Sequence, residues 1–159
     1  MRTSERLLLD TGILGRLCHP RIEQHRPFTE WLARRLERGG RAGVILPEIA
    51  DYELRRKLLH LRLKQPLSRT SLARLDQLVE VLVYLPLSTP VMRRAAELWA
   101  QARASGLPTA GEADLDGDII LAAQAQIAGG AVVTMNPRHL GRFVPVVDWQ
   151  SIQSDSSTL

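Results

Sequence analysis

Leu7-Leu8-Leu9-Asp10-Thr11-Gly12 decides the fold class, because an uninterrupted apolar run ends abruptly in an acid and a breaker. A short continuous apolar run bounded by turn residues reads as a short buried strand. Arg6 to Asp10 is therefore expected to be a strand, with Thr11-Gly12 as the break after it. Asp10 stands where that strand emerges from the core. There its carboxylate is partly desolvated and needs a partner for its charge, and a divalent metal is one such partner. The plainer alternative is a turn or cap residue that accepts from the amides of Gly12 or Ile13.

Outward from this strand, helical and extended patterns alternate. Pro27 to Arg38 carries apolar residues at helical spacing and meets Gly39-Gly40, and Ala42 to Leu46 reads as a second strand. Pro47 suits the first turn of a helix that places Ile49, Tyr52 and Leu59 near one face. Ser68 to Glu80 is amphipathic, Val81 to Leu87 is extended, and Thr89-Pro90 opens a helix that runs to Ala104. Gly106 to Gly111 reads as a loop, Asp116 to Ala128 as a helix, and Ala131 to Thr134 and Val144 to Val147 as strands. Residues 1–150 form one expected domain, with 151–159 a frayed tail. The alternation implies an α/β fold, three layers α/β/α around a mainly parallel sheet. Ligands of such sheets gather at the carboxyl ends of the strands, where Asp10 and the segment Thr134 to Asn136 fall.

Composition narrows the partners. The chain has 159 residues, 45% hydrophobic and 24% charged, enough for one ordinary core. Net charge is +4, and of the 21 basic residues only Lys57 and Lys64 are lysines. Arginine's planar fork of donors matches phosphate, which favours a nucleic-acid partner, and a GC-rich coding sequence explains the same bias equally well. Cys18 is the single cysteine, so an intrachain disulfide and a Cys-based zinc site are excluded. Asp10 interrupts the apolar segment too early for a signal-peptide core, and no apolar run reaches the roughly 18 residues of a membrane span. A soluble, cytoplasmic protein is expected.

Two further groups of acids stand out. Glu53 lies three residues before Arg56 and four before Lys57, so a solvated ion pair accounts for it cheaply. It also adjoins Ile49 and Tyr52 on the apolar side of its helix, while Asp51 lies further round, so Glu53 can look inward. Glu112-Ala113-Asp114-Leu115-Asp116-Gly117-Asp118 is the densest negative segment of the chain. A helix dipole favours acids at its start, but it does not call for four of them in seven residues. Gly117 argues for a helix start after it.

In their order and spacing, Leu7 to Thr11, Ile49 to Leu54 with Glu53, Asp118 to Ala125, and Val132 to Asn136 make the chain resemble a PIN-domain ribonuclease, in particular the VapC-like toxin of a type II toxin-antitoxin pair. The resemblance spans nearly the whole chain. It implies a metal-dependent endoribonuclease with an acidic pocket at the carboxyl edge of a parallel sheet. By position, Asp10, Glu53 and Asp118 are its catalytic acids, with Asp116 a nearby auxiliary, and Asp10, Asp118 and Asp116 are the ligands of Mg2+ or Mn2+. Thr11, Thr134 and Asn136 are pocket supports, and Arg55, Arg56, Arg138 and Arg142 are candidates to track RNA phosphates. The implied partners are an RNA substrate, a cognate antitoxin and a second copy in a homodimer, with no membrane. The chain departs from the family pattern at Asn136, where aspartate is frequent, and at Gly12, where a polar residue is usual. These departures keep a non-catalytic RNA- or protein-binding module open as an alternative. A housekeeping RNA-processing nuclease is a third.

Overall fold

A computed structural model describes residues 6–39, 43–66, 68–106 and 112–155, with side chains omitted for 112–115, 154 and 155. Five strands form one parallel sheet in the order β3-β2-β1-β4-β5: β1 (Leu7–Leu9), β2 (Val44–Pro47), β3 (Val83–Leu85), β4 (Ala131–Thr134) and β5 (Val146–Asp148). Between and after them run α1 (Thr11–Leu17), a 3-10 turn at Ile22–His25, α2 (Arg26–Gly39), α3 (Glu48–Arg62), α4 (Ser68–Val81), α5 (Thr89–Ala104), α6 (Glu112–Ala128), α7 (Pro137–Leu140) and α8 (Trp149–Asp155).

Side-chain alternation along the three inner strands builds the two helical layers. Leu7 pairs with Val44 and Ala131, and Leu8 with Ile45 and Val132. Leu7, Leu9, Val44, Leu46, Ala131 and Val133 project into one core, where residues of α1 to α4 and Trp149 of α8 cover them. Leu8, Ile45 and Val132 project into the other, against α5 and α6. A strand with an apolar residue at every position fits only this doubly covered place, which is why three leucines suffice for β1. The three-layer parallel architecture expected from the sequence is the one observed.

The differences lie at element ends. Thr11-Gly12 is not a break: Asp10 caps a helix that starts at Thr11, its side chain accepting from the Thr11 amide. Pro47 closes β2 and stands before α3 rather than inside it. The helix expected from Asp116 begins at Glu112, so Gly117 lies within α6, which ends where Gly129 takes a positive φ of 65°. The expected loop from Gly106 to Gly111 lies, after Gly106, outside the described residues. Residues 151–155, expected to fray, continue α8, and Ile152 packs on the first core. Among the described residues no helix is long and apolar enough to cross a membrane.

Candidate functional site

The chain runs outward from β1 through β2 to β3, then returns across α5 and α6 to lay β4 on the other side of β1. The crevice above the carboxyl ends of β1 and β4 is thus the topological switch point, where open parallel sheets bind their ligands. Asp10 follows β1, and its amide donates to the Val133 carbonyl at 3.1 Å, which extends the ladder by one residue and fixes the side chain at the crevice. Thr134, fully buried, ends β4 beside it.

Hydroxyl groups join the acids of this edge. The Asn136 amide donates to Thr134 Oγ1 at 3.0 Å, and that hydroxyl donates to Asp10 Oδ2 at 2.6 Å. The Thr11 amide donates to Asp10 Oδ1 at 2.7 Å, while the Thr11 hydroxyl donates to Glu53 Oε1 at 3.1 Å. A continuous chain of donors and acceptors therefore runs from β4 to α3. Gly117 brings α6 into the same group: a Cβ there would lie 2.8 Å from Glu53 Oε2 and 3.0 Å from Oε1. Asp118 follows it half-buried, and Asp116 precedes it exposed.

Burial pushes the Asp10 carboxyl above the ordinary carboxylate range, against the opposing hydrogen bonds from Thr134 and Thr11. Glu53 is raised for the same first reason. The Thr11 hydroxyl, Arg56 and Lys57 oppose the shift, and the nearby Asp10 charge adds to it. Arg56 is only a loose partner, with Nη2 3.9 Å from Glu53 Oε2 and a mostly exposed side chain that also lies over the Tyr52 ring. Among the described residues no three His, Cys, Asp or Glu side chains converge into a ready-made metal cage.

The residues read from the sequence are thus distributed unevenly. Asp10, Thr11, Glu53 and Thr134 form one hydrogen-bonded unit. Asn136 joins through its backbone, its side chain making no cap bond to α7. Arg138 and Arg142 are exposed on and just after α7, which follows β4 at the same edge. Arg55, a candidate for RNA phosphates in the sequence, pairs with Asp51 at 2.9 Å and with Asp76 at 2.8 Å. The helical face was misassigned. Tyr52 is exposed and Asp51 is buried, the reverse of the expectation. Sequence reasoning passed over Gly117 as a contact of the site. The available signal was a glycine inside an otherwise helical run and flanked by acids, a position where helices ordinarily avoid it.

The family model of the PIN domain matches residues 7–143. No curated protein matches the chain. Among solved structures it is similar to FitAcB from Neisseria gonorrhoeae, with 23% identity, a TM-score of 0.69, and 89% of this chain and 96% of that one covered. DNA-bound VapBC from Salmonella typhimurium gives 21% identity and a TM-score of 0.68, with 91% and 98% covered. VapBC2 from Rickettsia felis, bound to a DNA fragment of its promoter, gives 17%, 0.67, 90% and 98%. At these identities the likeness is one of fold. With the family model matched from the first strand to the turn after α7, the chain belongs to the PIN-domain family.

Proposed function

We propose that this PIN domain is a Mg2+- or Mn2+-dependent endoribonuclease and acts in the cytoplasm as the toxin of a toxin-antitoxin pair. The observation that carries this reading is the pair of desolvated carboxylates, Asp10 and Glu53, tied together through Thr11 at the switch point of the sheet. Groups whose charge is left under-compensated in a crevice are candidates for chemistry rather than for stability.

The donors suit a hard divalent cation. They are carboxylate oxygens, and each Asp10 oxygen takes one hydrogen bond in the structure, which leaves it capacity for a further contact. Asp10 and Asp118 are the direct ligands in this reading, with Asp116 acting through water. A bound ion supplies Lewis-acid polarisation of the phosphate and a water of lowered pKa. Thr11 and Thr134 hold the carboxylates in place with their hydroxyls. Glu53, its pKa raised by burial, orients the attacking water and takes its proton. Arg56, Arg138 and Arg142 hold the RNA backbone, a contribution that weakens steeply with salt. A homodimer would lengthen that groove. An open cleft of about 430 Å3, lined by Cys18, Leu54, Leu58 and Ser71 among others, offers a seat for an amphipathic antitoxin helix.

The test is cleavage of RNA by purified protein with Mg2+ or Mn2+, beside Asp10→Asn and Asp118→Asn. Wild type is expected to cleave and both variants to fall to background; equal rates in all three overturn the reading. A second reading, a non-catalytic binding module, draws on the uncharged Asn136 and on Gly12. Calorimetric titration separates the two, because a module binds no metal at millimolar ion. A small upstream gene for a DNA-binding antitoxin favours the toxin over a housekeeping nuclease.

A further inference from the structure

We infer that Gly117 is a positioning residue: its bare backbone is the seat against which the Glu53 carboxylate rests. Gly117 is buried inside α6, with Asp118 and then the apolar run Ile119 to Ala123 beyond it. A helix interior selects against glycine, so local stability does not explain its presence. The space does. A Cβ at this position would lie 2.8 Å from Glu53 Oε2, 3.0 Å from Oε1 and 3.1 Å from Cδ, and no real Cβ tolerates all three. Glu53 reaches this place from α3 and is held there by the Thr11 hydroxyl at 3.1 Å. Its side chain can move aside without unfolding the domain, but only by giving up the contacts that hold it, a cost that offsets the helical gain of an alanine. Moving aside breaks the Thr11 bond and separates Glu53 from Asp10. Any side chain at 117 therefore trades the placement of the carboxylate for a better helix. The catalytic consequence rests on the nuclease reading, whereas the seat itself does not.

A double-mutant cycle tests both parts, with Gly117→Ala made in the wild type and in Glu53→Asp, whose carboxylate is shorter by one methylene and withdraws from the glycine. Thermal unfolding is measured in excess EDTA, and RNA cleavage with Mn2+. A Gly→Ala change within a helix ordinarily raises Tm by about 2–4 °C in a domain of this size. That gain is expected in full in the Glu53→Asp background and to be largely cancelled in the wild type. Cleavage is expected to fall roughly 10- to 100-fold with Gly117→Ala alone, the scale of an ångström-level misplacement, and much less when the same change is made in Glu53→Asp. Equal effects of Gly117→Ala in the two backgrounds, in either measurement, overturn the inference. If the wild type cleaves no RNA, the nuclease reading fails by itself, and the thermal cycle then decides the seat: non-additivity upholds it and additivity overturns it.

Discussion

Asp51 and Glu53 stand two residues apart on α3, and the helix puts them to opposite uses. Asp51 is 8% exposed, and both of its oxygens are taken: Arg55 Nε donates to Oδ1 at 2.9 Å and the Tyr84 hydroxyl donates to Oδ2 at 2.8 Å. Arg55 reaches on to Asp76 at 2.8 Å, so the group ties α3 to α4 and to β3. Burial, with Asp51 as acceptor, pushes the Tyr84 hydroxyl well above its usual range, so that it stays a donor. Glu53 has a neutral hydroxyl at 3.1 Å and an arginine no nearer than 3.9 Å. One carboxylate is matched by a cation and a phenol. The other is left with its charge under-compensated, and that difference, not the degree of burial, separates a structural acid from a chemical one.

The largest effects test this contrast directly. Glu53→Gln keeps the shape and the acceptor for Thr11 while removing the charge. Cleavage is expected to fall by about 10²–10⁴-fold, the usual worth of a positioned acid or base, with Tm slightly raised at pH 7. Asp51→Asn should do the reverse. An amide cannot balance Arg55, and an under-satisfied partially buried network costs about 1–3 kcal/mol, read by denaturant unfolding. Cleavage per folded molecule should be retained. If Asp51→Asn stays folded and loses cleavage, the two acids are not separable in the way drawn here.

A smaller effect sharpens the structural side. Tyr84→Phe deletes a hydroxyl from β3 and leaves Asp51 Oδ2 without that donor. The expected loss is about 1 kcal/mol of stability, with no change in cleavage.

The same pair shows what the sequence could and could not convey. Buried parallel strands announce themselves by unbroken apolar runs, so β1, β4 and the position of Asp10 between core and crevice were legible from local pattern. Helix faces were less so. Periodicity placed Tyr52 inward and Asp51 outward, because it reads polarity and not partners. Buried Asp51 accepts from Tyr84, which is 33 residues away, and the Asp51–Arg55 pairing extends to Asp76 on α4. Thr11-Gly12 looked like a break because a threonine and a glycine favour turns, yet Asp10 supplies the cap that starts a helix there. Gly117 marks a helix boundary by local pattern for the same reason, yet it lies within α6. A glycine's local meaning and its tertiary meaning differ, and only the approach of Glu53 distinguishes them.

The smallest expected effect is also the most direct probe of under-compensation. The carboxyls of Glu53 and Asp10 are both raised in the folded protein, chiefly by burial. The folded chain therefore retains protons that the unfolded chain has released. Their favourable contribution is fully present below the ordinary carboxylate range near pH 4 and is lost as pH rises through the folded values. In metal-free protein, the Tm of Glu53→Gln minus that of wild type should be positive at pH 7 and shrink toward zero near pH 4. Taking the difference cancels the titration of groups common to both proteins. A negative value at pH 7 would mean that its neighbours stabilise the Glu53 anion on folding. Glu53 would then be a structural acid whose charge the fold has already matched.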